Sequence, residues 1–516
     1  MPLITKVGRK SLRAKLALVV IYAFLIIGAT TTLYPFMMMG AIGLTGPSDQ
    51  NANRLIPLYL TDDQALFDKY RDDKYGGDQI RMASYSLGLP TTLKGIKPDQ
   101  EELEFWEKTL MELPPTQWLA GFRTRSGQVS SRLSSQWQRY LKAKYGSLEK
   151  VNQIYNELNP AFPRIQAPAE LLDRPGWNPK EGVKWNDWIE FKKTLPSEFR
   201  VPITGTWMWQ EFLRTKHRNQ ISAVPAQLAA GASLIEEIPL ATIELADKEL
   251  KAEFLKTWRL KSLDDLLEFK HGYSLPLMAF ESDHVTQNKR EIRREFATRN
   301  YSYVFDFIAL NGRALWNTFL FCALAVLTQL IVNPLCAYAL SRHSLPITAN
   351  ILLFLLAAMA FPAEVAMIPS FLLLKDLGLL NTFAALVLPT AASGFMIFLL
   401  KGFFDSLPKE IFESAQIDGA TDWLMLIKMA LPLCRPVLGY LALLAFMGAY
   451  GSFLFAFLVA QKQEMWTLMV FIFQMQGYAP KAVMMAALTL AAVPTLFVFL
   501  AAQRTIMKGI ILPSER

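Results

Sequence analysis

Long apolar runs separated by polar connectors constrain the fold of this chain more than any other feature. Six runs occupy residues 16–40, 315–340, 351–374, 383–404, 433–459 and 484–502. Each run is long enough to cross the hydrocarbon core of a bilayer as a helix. The sequence therefore predicts an all-α polytopic membrane protein with six transmembrane helices, surrounded by a lipid bilayer.

The first run follows a basic N-terminus. Residues 1–15 contain no acidic side chain, and their basic residues are Lys6, Arg9, Lys10, Arg13 and Lys15. A secretory signal peptide has a similar start, but this run is longer than a signal h-region, and no small-residue cleavage site follows its core. The positive-inside rule then places residues 1–15 in the cytoplasm. The even number of spans places the tail, residues 507–516, on the same side.

A long polar region separates the first two runs. Residues 41–313 are rich in charged residues, Pro and Trp, and contain none of the chain's Cys residues. A segment of this length is a folded domain rather than a loop, and without cysteine it has no disulfide framework. Topology places it outside the cytoplasm. Sequence patterns predict a mainly helical soluble domain, with helices at residues 100–113, 129–145, 148–158, 209–215, 248–254 and 263–269.

The polar region contains a degenerate internal repeat. The segment WQRYLK at 137–142 recurs as WQEFLR at 209–214, EFLK at 253–256 matches its second half, and WIEFKK at 188–193 is a weaker copy. Trp and an aromatic residue three positions later share one face of a helix. The repeat therefore predicts helices that pack their aromatic faces against one another.

Tryptophan and acidic residues in this region are candidates for binding or cleaving a sugar. Trp offers a large apolar platform for a sugar ring, and core packing is the alternative for each Trp. Acidic pairs such as Asp187 with Glu190 suggest glycosidase carboxylates, and a solvated surface is the alternative. The sugar-contact candidates are Trp177, Trp185, Trp188, Trp207 and Trp209.

Composition excludes several classes of function. The chain is 52% hydrophobic, and its net charge of +8 comes from basic residues beside the apolar runs. That placement is not a nucleic-acid-binding face. The phosphate-binding pattern G-x-x-x-x-G-K-[ST] is absent from the sequence, so we expect no ATP site on this chain. We identify no catalytic residues and no metal site.

Helix-breaking and charged residues interrupt the third and fourth runs. Pro362 and Pro369 break helices, and Gly394 permits close approach between helices. In a transporter such breaks tend to line the pathway. Glu364, between the two prolines, is expected to face protein or an aqueous cavity. These four residues are translocation-path candidates, and capping of backbone freed by proline is the alternative for Glu364.

A polar segment between the fourth and fifth runs, residues 405–432, has a distinctive pattern. Helix-compatible residues at 413–416 lead to Asp418-Gly419, and Gly tolerates the positive φ of a turn. A second helical stretch follows from Ala420 to Pro432. Two short helices around a glycine turn predict a compact knob that a partner protein can grip.

This segment resembles the EAA loop of ABC-importer permeases. The matching residues are Glu413, Ala415, Asp418, Gly419, Ala420, Leu431 and Pro432, and Ser414 stands where the pattern has a second Ala. The last two hundred or so residues resemble the smaller membrane subunit of the maltose-type carbohydrate permeases. That resemblance is carried by the segments NT at 317–318, AYALSR at 337–342, FPAEVAMIP at 361–369, LGLLNT at 377–382 and LLKGFF at 399–404. The 41–313 insertion and the C-terminal tail depart from that family.

The resemblance implies a transport subunit rather than an enzyme. Residues 314–506 are expected to form the permease core of a type I importer in the inner membrane, and to carry a di- or oligosaccharide. The 405–432 loop would dock on a cytoplasmic ATPase dimer, which uses the ATP and Mg. A second permease subunit would complete a heterodimer. A solute-binding protein would contact residues 461–481.

Two other classes of protein remain as alternatives. The first is a membrane-anchored carbohydrate-binding or glycoside-processing protein that acts through its outer domain, although an anchor needs only one helix. The second is an ion-driven carrier, which favours several intramembrane carboxylates, whereas Glu364 is the clear example here. A combined hypothesis makes the insertion a fixed receptor that supplements or replaces a soluble binding protein.

Overall fold

The structure is a computed structural model that describes residues 12–86, 93, 99–125, 128–159, 162–271, 277–310, 313–343 and 346–509. The described chain divides into two compact units. The first contains the described residues up to 304 together with 479–486, and the second contains 305–478 and 487–509. The predicted cytoplasmic residues 1–11 and 510–516 lie outside the described residues.

The first unit is mainly helical. Its helices are α1 (Leu12–Gly43), α2 (Asp63–Lys74), α3 (Gln79–Ser86), α4 (Gln100–Glu112), α5 (Arg132–Tyr145), α6 (Leu148–Tyr155), α7 (Val183–Thr194), α8 (Gly205–Lys216), α9 (Ala226–Ala229), α10 (Lys248–Trp258), α11 (Leu267–His271) and α12 (Leu277–Phe305). A two-stranded antiparallel pair, β1 (Trp118–Ala120) and β2 (Arg200–Pro202), joins them, with Leu119 opposite Val201. The helices predicted at 100–113, 129–145, 148–158 and 248–254 are present within a few residues, and short 3-10 turns connect several elements.

Side-chain caps explain where several of these helices begin. The Asp62 carboxylate accepts from the Ala65 N–H at the start of α2, and Thr204 accepts from the Trp207 N–H at the start of α8. Ser131 and Ser134 form a reciprocal capping box at α5. Each cap satisfies an N–H that the first turn of a helix leaves without a partner.

The predicted aromatic repeat is confirmed as helix packing. On α5, Trp137 and Tyr140 stack with ring centroids 5.7 Å apart, and on α8 Trp209 and Phe212 stack at the same distance. Phe254 of α10 meets Trp209 edge-on at 5.5 Å. Trp188 and Phe191 of α7 pack against Trp137 in the same way, at 5.4 and 5.2 Å. Each helix therefore buries its aromatic face on a neighbouring copy of the motif.

Three of the sugar-contact candidates are core residues instead. Trp188 and Trp209 are fully buried, and Trp207 is buried to within a few per cent. Their indole N–H groups donate to Glu170, to the Thr242 hydroxyl and to the Asp173 carbonyl, respectively. A ring enclosed on all sides has no face for a ligand, so Trp188, Trp207 and Trp209 pack the core.

A buried ion cluster ties β1 to α7. The Lys192 ammonium lies 2.6 Å from the Glu170 carboxylate, and both side chains have no solvent-exposed area. Glu170 also pairs with Arg123 at 2.9 Å and accepts from the Ala120 N–H at 3.1 Å. Lys192 donates to the Trp118 carbonyl at 2.6 Å. Burial lowers the pKa of Lys192, and the hydrogen bonds compensate the removal of these charges from water.

Asp187 is buried, although a solvated surface was the sequence-based alternative for the Asp187–Glu190 pair. Its carboxylate accepts from the Lys144 ammonium at 2.9 Å and from the hydroxyls of Tyr145 and Tyr155. Burial by itself raises the pKa of Asp187, but these hydrogen bonds outweigh it and hold the pKa below its ordinary value. Glu190 is exposed and shares the Lys144 partner. The pair is therefore a structural tie between α5, α6 and α7.

We expect Asp187→Asn to destabilise the protein by about 1–3 kcal/mol at pH 7, because charge-assisted hydrogen bonds are lost. The folded-state pKa lies below the unfolded value of about 3.9, so the carboxylate contributes fully above that value and its contribution falls as the pH drops through the folded-state pKa. Unfolding free energies of wild type and variant should therefore converge below about pH 4. The exposed Glu112→Gln, on α4, is the control. A difference that is constant between pH 7 and pH 3 contradicts this account.

The two ends of the polar region meet where α1 ends. The side-chain amide of Asn300, on α12, donates to the carbonyls of Gly43 and Thr45 at 2.9 and 2.7 Å. The neighbouring Tyr301 hydroxyl donates to the Gly40 carbonyl at 2.9 Å. These bonds fasten the start of the region to its end.

All the regular elements in the described residues of the second unit are helices, which short turns connect. After a π-helical turn at Asp306–Leu310 come α13 (Ala314–Arg342), α14 (Thr348–Met359), α15 (Ala363–Asp376), α16 (Phe383–Val387), α17 (Gly394–Asp405), α18 (Lys409–Ile417), α19 (Asp422–Met425), α20 (Leu431–Leu433), α21 (Arg435–Gly451), α22 (Leu454–Val459), α23 (Leu468–Met475) and α24 (Lys481–Gly509), whose first residues belong to the first unit. A second π-helical turn, Leu426–Ala430, joins α19 to α20.

By length and apolar character, α1, α13 and α24 can each cross a membrane as single helices. Three bent pairs pass the same test: α14 with α15, α16 with α17, and residues 422–433 with α21. Counting each pair as one span gives up to six spans in the described residues, the predicted number. Counted in this way, the third, fourth and fifth spans are broken, and the break in the third span lies at Pro362, where the sequence predicted one.

Proline and capping residues explain the breaks. Pro362 precedes α15 with extended backbone angles, and Pro436 lies in the first turn of α21. Proline supplies no N–H to the preceding turn and disfavours helical backbone angles at the residue before it. Ser393 caps α17 after the turn that contains Pro389.

Candidate coupling site

The glycine turn of the 405–432 segment is closed by two backbone hydrogen bonds. The N–H of Gly419 donates to the Gln416 carbonyl at 3.0 Å, and the N–H of Ala420 donates to the Ala415 carbonyl at 2.9 Å. This is the Schellman arrangement that ends many helices. Gly419 has φ of +80°, the positive value that the pattern predicted. An added Cβ there meets no atom within 4 Å, so the requirement for Gly is conformational rather than steric.

The Ala residues of the motif have a local explanation. Ala415 and Ala420 are half-buried and pack on the core of the second unit. They are joined by the hydrogen bond of the turn that spans more residues. Small side chains let the chain reverse against that core. Ser414 is exposed and uses its carbonyl to accept from the Asp418 N–H at 3.0 Å. The change from Ala to Ser therefore lies on the solvent side.

The second half of the segment returns to the membrane helices. Thr421 caps α19 by accepting from the Leu424 N–H at 3.3 Å. Leu431 is half-buried, and Pro432 lies in the first turn of α20. The π-helical turn comes just before Pro432, where the usual helical hydrogen bond has no donor. The chain then bends by 83° into α21.

Phe412 anchors the segment to the end of α13. Its ring is buried, and the Arg342 guanidinium lies over it with 3.8 Å to the ring centroid. Arg342 also donates to the Phe404 carbonyl at 2.8 Å. Next to it, Ser341 donates to Asp405 at 2.6 Å. These contacts fix α18 to α13 and α17, and the sequence analysis did not assign a role to Arg342 or Phe412.

The outward face of the segment is apolar with acidic and polar residues around it. Ile417 is 87% exposed and Trp423 is 61% exposed, and Leu424 is about half exposed. Glu413 and Asp418 are exposed beside them. Adjacent exposed apolar side chains with a polar rim are typical of a protein–protein contact. Six of the eight predicted coupling residues, those from Glu413 to Ala420, therefore lie together on one knob, which we call the coupling knob (residues 409–425), whereas Leu431 and Pro432 lie beyond it in α20.

Three of the four translocation-path candidates lie at breaks in the spans, whereas Pro369 lies inside α15, so the helix break expected at Pro369 is not present. Pro362 begins α15, Pro369 lies within it, and Glu364 is exposed in its first turn. Gly394 begins α17 where that helix approaches α14, and an added Cβ would lie 3.0 Å from the Leu355 carbonyl oxygen. Gly394 thus permits close packing, as predicted for glycine in a span, whereas Glu364 does not face the core of this chain.

A buried amide at the fourth span was missed by the sequence analysis. Asn333 of α13 is fully buried, and its side-chain oxygen accepts from the Ser393 N–H at 2.8 Å. Its side-chain nitrogen donates to the Gln329 carbonyl at 2.9 Å. Backbone freed at the break before α17 is therefore satisfied by a side chain from a neighbouring helix. The signal was a lone Asn before Pro334 in an apolar run.

The segment 461–467 is held by the Asn317-Thr318 pair that carries part of the resemblance. The Asn317 side chain donates to the carbonyls of Glu464 and Trp466 at 2.7 and 3.1 Å. The Thr318 hydroxyl accepts from the Leu468 N–H at 2.7 Å. Asn381, with a positive φ, accepts from the Lys462 N–H at 2.7 Å. Side chains from α13 and from the loop before α16 therefore hold this connector by direct hydrogen bonds.

Among the described residues, no three His, Cys, Asp or Glu side chains come close enough to hold a metal ion.

Comparison with known proteins agrees with this geometry. Residues 302–511 match the family described as binding-protein-dependent transport system inner membrane component. The chain is 33% identical over 204 residues to the diacetylchitobiose uptake system permease protein NgcG of Streptomyces coelicolor, covering 38% of this chain and 67% of that protein. It is 33% identical over 200 residues to the sulfoquinovosyl glycerol transport system permease protein SmoH of Agrobacterium fabrum, covering 38% of this chain and 70% of that protein.

A solved bacterial ABC transporter involved in the import of the acidic polysaccharide alginate aligns with a TM-score of 0.35 and 26% identity, over 40% of this chain and 78% of that chain. The family match covers the second unit, and the alignments cover two thirds or more of NgcG and SmoH. The chain therefore belongs to the family of binding-protein-dependent transport system inner membrane components and is a multi-pass ABC-importer permease, as its resemblance to that family predicted.

Proposed function

We propose that this chain is the permease subunit of an ATP-driven carbohydrate importer and that its coupling knob docks on a separate cytoplasmic ATPase dimer. The observation that carries the proposal is the exposed apolar face of the knob around Ile417 and Trp423, on a turn closed by Gly419. An apolar surface of this kind on a short, rigid motif suits a partner's cleft. That partner binds ATP with Mg, and hydrolysis of the ATP supplies the free energy for transport.

The contacts of the knob suggest how its movement reaches the membrane helices. Arg342 contacts the Phe412 ring and donates to the Phe404 carbonyl, so a displacement of α18 is transmitted to the ends of α13 and α17. The breaks in the third to fifth spans are the hinge points at which such a pull changes the helix directions. Backbone groups that a break leaves without a helical or side-chain partner can then meet water or solute when the permease is inward-facing or outward-facing.

The relatives support a carbohydrate as the solute. The NgcG and SmoH systems are named for diacetylchitobiose and sulfoquinovosyl glycerol, which are both sugar derivatives. We therefore assign a di- or oligosaccharide to this chain. A heterodimer with a second permease and delivery by a solute-binding protein at residues 461–481 complete the proposed assembly. Both termini lie in the cytoplasm, and the 41–313 insertion lies outside it.

Site-specific cross-linking in native membranes tests the assignment. Ile417→Cys places a thiol on the exposed knob, and Lys462→Cys places one on the opposite, predicted outer connector, where Lys462 is also exposed. With a short bifunctional reagent, Ile417→Cys should link to an ATPase subunit and Lys462→Cys should not. The native Cys322 and Cys434 are buried, and the parent chain measures background.

An intact, correctly inserted chain that forms no ATPase adduct from position 417 would overturn the coupling role. An ATPase adduct from position 462 would overturn the proposed orientation. If the coupling role is overturned, the favoured hypothesis becomes a membrane-anchored carbohydrate-binding or glycoside-processing protein that acts through the insertion.

A further inference from the structure

An aromatic cleft lies in the first unit beside the start of α7. Its volume is about 560 Å³, which is within the usual range for small-molecule sites. The rings of Tyr155, Trp177 and Trp185 line it, together with the polar side chains of Asn178, Lys180 and Glu181. The mechanism proposed for the permease core does not involve this cleft.

The aromatic rings of the cleft are held in place. Trp177 and Trp185 are half-buried and meet edge to face, with centroids 5.8 Å apart and planes at 67°. The Tyr155 hydroxyl donates to the buried Asp187 carboxylate at 2.7 Å, and its ring packs edge-on against Tyr145. Two indole faces at a steep angle and a fixed phenol ring form a preorganised apolar lining.

The indole N–H groups distinguish Trp177 and Trp185 from the core tryptophans. Trp188, Trp207 and Trp209 donate their N–H groups to protein acceptors. Within the described residues, the indoles of Trp177 and Trp185 make no hydrogen bond, and both rings line the cleft. A half-buried indole N–H without a protein acceptor is available to a ligand oxygen.

The rim of the cleft supplies further hydrogen-bonding groups. Lys184 is paired with Glu157 at 2.5 Å and lies over the Tyr155 ring, so it closes one side. Asn178 and Lys180 are exposed at the opening, where they offer an amide and an ammonium. Ring faces surrounded by donors and acceptors match a ligand with apolar C–H faces and a rim of hydroxyls.

We propose that this cleft binds a short oligosaccharide, with Trp177 and Trp185 stacking on its sugar rings. The inference rests on the proposed function for the class of ligand. It extends that function because the site is in the insertion and not in the spans. The insertion then retains solute next to the importer, in addition to any soluble binding protein.

A glycan array tests the proposal. The tagged full-length chain, purified without ATPase in a detergent that has no sugar headgroup, is applied to neutral, N-acetylated and acidic oligosaccharides. The best-bound glycan is then titrated calorimetrically against wild type, Trp177→Ala, Trp185→Ala and Phe105→Ala. We expect each of the two cleft variants to bind about tenfold or more weakly, as for other anchoring aromatic residues. Phe105, an exposed aromatic residue elsewhere in the unit, should be replaceable without effect.

Two results would overturn the inference: no array glycan bound by the wild type, or the same affinity in both cleft variants as in wild type. Trp177→Phe and Trp185→Phe separate loss of stacking from loss of folding, because Phe keeps a ring and should retain part of the affinity. The measurement needs no ATPase. If the chain binds no ATPase but binds glycan through the cleft, the proposed function fails and this inference stands. If the chain binds ATPase but no glycan, this inference fails and the proposed function stands.

Discussion

Gly419→Pro is expected to abolish recovery of the ATPase with the tagged chain. Proline holds φ near −65°, whereas this position has φ of +80°. Proline also removes the N–H that donates to the Gln416 carbonyl. The two effects cost about 3 kcal/mol or more, which corresponds to a docking-competent population at least about 100-fold smaller. Affinity purification from native membranes, with ATPase quantified against the tagged chain, measures the result.

Two matched variants test whether the effect is conformational. Gly419→Ala keeps the N–H and meets no atom within 4 Å, but an L-residue at positive φ costs about 1–2 kcal/mol, so it should give an intermediate loss. Gly402→Ala changes a glycine inside α17, where an added Cβ also meets nothing within 4 Å, and should leave ATPase recovery unchanged. Equal recovery with Gly419→Pro and wild type would show that the coupling knob does not hold the ATPase.

Glu170→Ala is expected to destabilise the insertion strongly. The variant leaves the Lys192 ammonium enclosed without its carboxylate partner, and Arg123 loses the same partner. Breaking a buried ion pair by removing one member costs about 3–5 kcal/mol. Hydrogen exchange of the full-length chain should show faster exchange of the amides of β1 and α7, with little change in α13.

A double-mutant cycle distinguishes the unpaired charge from a simple cavity. Glu170→Ala combined with Lys192→Met removes both charges, so it should recover part of the stability lost in the single variant. The exposed Glu112→Gln is the surface control. If Glu170→Ala were within about 0.5 kcal/mol of wild type, the usual range for surface changes, the cluster would not support β1 and α7 as described.

The helices were predictable because their signals are local. Apolar runs placed the second span at 315–340, and the structure has Ala314–Arg342. The turn at Gly419 followed from its neighbours, since positive φ after a helix strongly favours glycine. The aromatic repeat also predicted its own packing, because residues three apart on a helix share a face.

The remaining features depend on partners distant in sequence. Whether Trp188 or Trp185 is enclosed depends on which elements pack around α7, and periodicity within one helix does not specify them. Asp187 is buried because Lys144, Tyr145 and Tyr155 come from α5 and the segments that follow it. The break before α17 is stabilised by Asn333, sixty residues away. A polar residue alone in an apolar run does not identify its hydrogen-bond partner.

The bonds from Asn300 and Tyr301 to Gly43, Thr45 and Gly40 bring the two ends of the insertion together at the end of α1. Lys481 and Ala482, at the start of α24, add hydrogen bonds to Asn53 and Gln50 in the first residues of the insertion. A segment whose ends already meet adds little loop-closure entropy to the chain that carries it, however many residues it contains. A change in the length of the insertion is therefore expected to cost the flanking helices little conformational entropy.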